Sequence, residues 1–161
     1  MSRFDNEIRI TPSVLDRLID ERPKETREAP ANRQTSLRLL KLAVKRDLEW
    51  LLNTRLTPEP PPEGLTEVIQ SLATYGLMDF TTATLSGPKD QDRLRMAVEE
   101  AVRRFEPRLQ DVEVQLEASS ELERSVRFRI DARLKVDPAP EPVTFDTMLQ
   151  LTSGEFRVKG D

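Results

Sequence analysis

Carboxylates are the reactive side chains this sequence holds in greatest number, and a pair of them across a glycosidic bond, one with its pKa raised by burial, is the machinery of a glycosidase. The near pairs are Asp47 with Glu49, Glu99 with Glu100, and Glu106 with Asp111. With 29 acids in 161 residues, pairs arise by number alone. Glu99 and Glu100 sit beside the apolar stripe of a predicted helix and read as a solvated face. Asp47 and Glu49 straddle Leu48 and flank a packing surface rather than enter a cleft. There is no histidine and no cysteine. That removes Ser-His-Asp and Cys-His nucleophiles, thiol redox chemistry, finger-type zinc sites and the side chain that titrates nearest neutral pH. The five glycines are scattered and form no phosphate-cradling loop ahead of a helix. No catalytic, cofactor-binding or metal-binding residue is predicted.

Basic side chains are equally dispersed. Lys41, Lys45 and Arg46 make a ridge on one helix, but acids and leucines interrupt it and no aromatic residues interleave for base stacking. The net charge of −4 supplies no global field toward nucleic acid or an anionic membrane. The most unusual local feature is Phe105-Glu106-Pro107-Arg108-Leu109, where a long helix gives way to the first strand. Proline stiffens the exit, and the opposite charges of Glu106 and Arg108 stand two residues apart, able to join one network. One reading is a helix stop with a surface ion pair, worth little in stability. The other is a preorganised clasp for a partner, because arginine offers a planar fork to a carboxylate or carbonyl.

The elements that position this feature follow from periodicity. Thr11 and Pro12 open a short helix carrying Val14, Leu15, Leu18 and Ile19, which ends before Pro23. Arg22 to Arg33 is charged, has no face to bury, and reads as a mobile loop. From Ser36, the apolar residues Leu37, Leu40, Val44, Leu48 and Leu51 recur at helical spacing and close near Asn53. The prolines at 58, 60, 61 and 62 mark a linker. Leu65, Val68, Ile69 and Leu72 form a short helix stopping at Tyr75 and Gly76. A third long helix runs from about Asp90 to Phe105 over Leu94, Ala97, Val98, Ala101, Val102 and Phe105, and Pro107 ends it. From Asp111 the period becomes two. Val112 to Leu116, Val126 to Val136, Val143 to Leu151 and Phe156 to Val158 then predict four half-buried strands joined by short connections. The fold class is therefore α+β, with N-terminal helices packed on a four-stranded antiparallel meander sheet. Residues 1–34 are read as a helix with a mobile charged loop, and 35–161 as one α+β domain. The N-terminus shows no apolar leader and no apolar run spans a membrane, which predicts a cytoplasmic protein without membrane insertion.

Three segments occur in a telling order: RDLEWLLNTR (Arg46 to Arg55), YGLMDFT (Tyr75 to Thr81) and FEPRLQDVEV (Phe105 to Val114). Together they resemble the TssE family of type VI secretion baseplate subunits, which groups with the wedge proteins of contractile phage tails often labelled lysozyme-like. The likeness covers roughly Val14 to Val158. Its hallmark, glutamate-proline-arginine, stands here as Glu106, Pro107 and Arg108, and Met78 replaces a proline the family often carries.

The resemblance implies structural work in a baseplate wedge and nucleation of the contractile sheath, with no enzymatic activity. It implies TssF, TssG and TssK as wedge partners and TssB and TssC as sheath partners, with Glu106, Pro107 and Arg108 as partner-binding residues. The meander's edges offer backbone groups to an incoming sheath strand. Two other readings stand beside this one: a peptidoglycan-cleaving muramidase using Glu106 or Glu49, and an adaptor domain outside any secretion machine.

Overall fold

A computed structural model describes residues 10, 12–19, 32–56, 64–80, 87–117 and 125–160. Helices come first: α1 (Val14–Leu18), α2 (Arg33–Asn53), α3 (Thr66–Ile69), a single 3-10 turn at Leu72–Thr74, and α4 (Pro88–Phe105). The strands β1 (Leu109–Glu117), β2 (Ser125–Leu134), β3 (Glu141–Gln150) and β4 (Glu155–Gly160) follow. Every neighbouring pair is antiparallel and the spatial order is the chain order, as a meander requires. The α+β reading holds. Among the described residues no helix is long and apolar enough to cross a membrane.

Both long helices lie against the sheet, α2 over β4 and α4 over β1. The α2 stripe buries Leu40, Val44, Leu48, Leu51 and Leu52, and the α4 stripe buries Leu94, Val98, Ala101 and Val102. From the sheet, Phe128, Ile130, Leu134, Phe145, Phe156 and Val158 meet them in one cluster. Each fully buried side chain of this kind contributes roughly 1.5–3 kcal/mol. Helix α2 begins three residues ahead of Ser36, because the Asn32 side chain accepts from the Thr35 N–H and caps it. Pro107 stops α4 as expected: Glu106 leaves helical geometry at φ −116 and ψ 78.

Three local expectations change. Ser13, not Thr11, caps α1, through a reciprocal box with Asp16, and Pro12 stays outside. That helix is one short turn with no buried residue, so Val14 and Leu18 do not form a packing face. The Leu65 to Leu72 helix breaks into α3 and the 3-10 turn, because its apolar residues lie at the surface and no core holds the second turn in α geometry. Strand β1 starts at Leu109, ahead of Asp111, and a bulge between Gln110 and Glu113 accommodates Asp111 at φ +53. Of the loop predicted from Arg22 to Arg33, Asn32 and Arg33 instead cap and open α2; its residues 22–31, the prolines at 58–62 and the β1–β2 connection at 118–124 lie outside the described residues.

Thr147 sits on the inner face of β3 at 2% exposure, and among the described residues its hydroxyl oxygen meets no hydrogen-bond partner. An unpaired buried hydroxyl destabilises, whereas a methyl of the same shape does not. Thr147→Val is expected to raise the unfolding free energy by about 1 kcal/mol, read as a higher urea midpoint at unchanged slope.

Candidate functional site: a locked charged corner

The corner forms where α4 hands the chain to β1. The Leu109 N–H donates to the Glu106 carbonyl at 3.1 Å, closing a tight turn around Pro107. The turn is pinned from β2's end: Lys135 donates its backbone N–H to the Arg108 carbonyl at 2.8 Å and its Nζ to the Pro107 carbonyl at 2.8 Å. The turn brings the Glu106 and Arg108 side chains together. Arg108 Nε donates to Glu106 Oε1 at 2.6 Å and its Nη2 to Oε2, a bidentate fork, while the Arg108 N–H reaches Oε1 at 3.2 Å. Glu106 is only 3% exposed, so this is no surface ion pair.

From α2, Asp47 closes the other side, accepting from Arg108 Nη2 at 2.6 Å. The chain of charge continues. Arg46 donates to Asp47 at 2.7 and 2.9 Å and to Asp16 of α1 at 2.8 Å, and its guanidinium lies 4.8 Å from the centre of the half-exposed Trp50 ring. Asp16, Arg46, Asp47, Arg108 and Glu106 thus alternate in sign across three segments of the chain. Burial works against the Arg108 charge, but the bonds and fields of Glu106 and Asp47 outweigh it and hold the guanidinium protonated far above its usual range. Burial works against Arg46 in the same way, and Asp47 and Asp16 raise it. Tyr75 is pushed up by burial first and then by the negative fields of Asp47 and Glu106.

Burial also opposes the Asp16 charge, yet the hydrogen bond from Ser13 and the pairing with Arg46 together hold its carboxyl below the ordinary 3.8. A depressed carboxylate stabilises above its unfolded pKa, and that contribution disappears as the pH falls through the lower folded value. Docking of α1 is therefore expected to be constant at neutral pH and to weaken as the pH falls below about 4, the ordinary carboxylate range. Amide shifts of Val14 to Leu18 followed through an acid titration would show it, and Asp16→Asn should remove the dependence.

The sequence pointed to Glu106, Pro107 and Arg108, and these stand together at the corner. It did not point to Asp47 or Arg46 as their companions. Sequence position alone sets Asp47 beside a packing surface and Arg46 on a solvated ridge. The available signal was position: both belong to the RDLEWLLNTR segment and adjoin the buried stripe of α2. Glu99 is a second correction. Its side chain is 15% exposed and bonds Arg95, Arg103 and the Val114 N–H, so it does not lie on a solvated face, whereas Glu100 at 70% exposure does. Asp111 is exposed on the bulge and forms no pair with Glu106.

The three quoted segments meet here. The Leu77 N–H donates to the Thr54 carbonyl at 2.9 Å, and the Leu56 N–H returns to the Leu77 carbonyl at 2.8 Å, a short parallel bridge tying the end of α2 to the YGLMDF loop. Arg55 pairs with Asp79 at 3.0 Å. Tyr75 stands edge-on to Phe105 with ring centres 5.2 Å apart. One contact set joins segments 46–55, 75–80 and 105–114.

The family model described as Baseplate wedge protein gp25 matches residues 38–139. The chain belongs to this family. The match runs from α2 through the corner to the end of the β2–β3 connection, so it contains the whole Asp47–Arg108–Glu106 arrangement of this wedge protein and excludes α1. Comparison with curated proteins returns no matching relative.

Proposed function

We propose that this wedge protein is the TssE-type subunit of a type VI secretion baseplate, working in the cytoplasm, where it links the wedge to the contractile sheath and nucleates sheath assembly. The observation that carries the reading is the corner itself. An intact Glu106-Pro107-Arg108 turn is fixed by Asp47 at the place where all three family segments converge. TssF, TssG and TssK are the proposed wedge partners, and TssB and TssC the proposed sheath partners. Sheath attachment runs through strand pairing at the sheet and through the corner. The role is structural rather than catalytic. Both oxygens of Glu106 are committed to Arg108, which leaves this carboxylate in no state to act as a general acid.

The test uses Arg108→Lys, which keeps a cation beside Glu106 but loses the fork that also reaches Asp47. The variant should fold, by circular dichroism, and should still co-purify with wedge subunits, yet form no fluorescent sheath foci in cells. Normal foci would sink the role of the corner. Muralytic activity in the purified protein would sink the structural reading altogether.

A further inference from the structure

Helix α2 is apolar on two faces. One carries Leu40, Val44, Leu48 and Leu51 into the core, and the opposite one carries Leu39, Leu42 and Trp50, which are 45, 48 and 50% exposed. Helical geometry sets Leu39, Arg46 and Trp50 within about 40° of one another and Leu42 beside them, so the four form one stripe about 17 Å long. A helix that is apolar all round belongs inside a core, yet no described element buries this outer side.

The charges beside the stripe are lopsided. Arg38, Lys41 and Lys45 follow one another at helical spacing along one flank, and no acid among the described residues pairs with any of them. Of the two acids of α2, Asp47 is held by Arg46 and Arg108, and Glu49 stands at the far end of that flank beside Trp50. Lys41 borders a notch formed by Pro142 to Phe145, and Arg33 reaches the Asp137 carbonyl, but neither Glu141 nor Asp137 forms an ion pair with the flank. Cations therefore prevail there.

Helix α1 already displays one way to engage the stripe. Its Asp16 carboxylate accepts from Arg46 at 2.8 Å, at the middle of the stripe, while Val14 and Leu18 stay 72 and 76% exposed and exposed Arg17 faces no acid among the described residues. One ion pair is a slight hold for a helix of five residues that buries none of them.

We infer that the outer stripe of α2 is a docking seam for an amphipathic helix of another protein, and that α1 holds the middle of the seam until that helix arrives. The partner's apolar residues cover Leu39, Leu42 and Trp50, and its acids face Arg38, Lys41 and Lys45. One partner carboxylate takes over Arg46 from Asp16, so the ion pair is exchanged rather than broken. Tryptophan and arginine, in contact here, are side chains on which binding energy concentrates. A lipid surface fits less well, because it would have to take in Arg46 together with its carboxylates, whereas a helix straddles them. The inference stands whether or not the chain serves a secretion system.

The probe is a tryptophan-free peptide of about five helical turns, with leucine at heptad positions a and d, glutamate at e and g and alanine elsewhere, titrated into the full chain. Trp50 is the single tryptophan of the chain, so its emission reports the seam directly. The glutamate peptide should shift that emission to the blue and saturate, and the amides of Val14 to Leu18 should lose their helical shifts in step. A matching peptide with lysine at e and g should do neither. Lys41→Glu combined with Lys45→Glu should weaken the glutamate peptide about tenfold. Asp16→Asn, which loosens α1, should tighten it about threefold. Should the double variant unfold by circular dichroism, Leu42→Ser at the surface gives a second reading and should also weaken binding. Unchanged Trp50 emission, an equal shift with the lysine peptide, full affinity in the charge-reversed and Leu42→Ser variants, or Val14 to Leu18 amides that stay in place would each overturn the assignment. A blue shift with phosphatidylserine vesicles and none with the peptide would give the seam to a membrane and overturn it as well.

Discussion

Arg108→Ala should lower the unfolding free energy by about 3 kcal/mol, the scale on which removal of one member of a buried ion pair leaves its partner uncompensated. Glu106 keeps its place because the turn around Pro107 is pinned by Lys135 and because its neighbours are core residues, so the carboxylate cannot swing to water when its cation is gone. Only the Arg108 backbone N–H, at 3.2 Å, would still face it. Asp47 would lose the same guanidinium but keep Arg46, and at 24% exposure it can take up water. The penalty therefore falls on Glu106. Glu106→Gln in the alanine background should recover most of the loss, since a neutral amide costs far less to bury than an unpaired charge. Urea unfolding of the two single variants, the double variant and the parent closes a cycle. A loss below about 1 kcal/mol for Arg108→Ala would mean that the corner is as weak as a surface pair.

The long helices and the sheet were legible because their causes are local. A stripe at three and four, or an alternation of two, states which face is buried without reference to anything distant, and Leu94 to Val102 or Val126 to Leu134 needed no partner to be assigned. Helix α1 stands where its apolar residues predict it, but its cap and its packing face do not follow, for the opposite reason. Thr11-Pro12 and Ser13-x-x-Asp16 are both helix openings, and only the second closes a reciprocal box. Its apolar residues then made an amphipathic face on paper that nothing in the fold covers. The bulge at Asp111 left no trace in the alternation, because the single residue it absorbs falls at the start of the pattern.

The site divides in the same way. Glu106 and Arg108 were legible as neighbours because a single proline, Pro107, stands between them. Asp47 stands 61 residues from Arg108 in sequence, and nothing in either segment records how α2 is rotated against the corner. That rotation is set by which residues of α2 the sheet buries, so Asp47 becomes visible only once Leu48 and Val44 are placed. A meander pattern by itself implies two open strand edges. Glu99, Arg103 and Asn53 close parts of them from helices that lie over the sheet, a relation that depends on packing alone.

Gly76→Ala should cost about 3 kcal/mol, for two separable reasons. The residue sits at φ +113, and a Cβ there would lie 2.4 Å from the Thr54 carbonyl oxygen and 2.9 Å from its carbon. Those atoms are backbone at the end of α2, so no side-chain rotation relieves the overlap. Relief requires the two-rung bridge between Thr54, Leu56 and Leu77 to open, which would also withdraw Tyr75 from Phe105 behind the charged corner. For a domain of this size the loss corresponds to a fall of about 10 °C in Tm. Gly64→Ala separates the two causes: it too has positive φ, at +87, but nothing lies within 4 Å of its added carbon, so it carries the backbone cost alone, about 1 kcal/mol. The excess of Gly76→Ala over Gly64→Ala measures how rigidly the YGLMDF loop is held against α2. Equal effects would mean that Thr54 yields freely, and that Asp47 and Arg108 hold the corner without support from that loop.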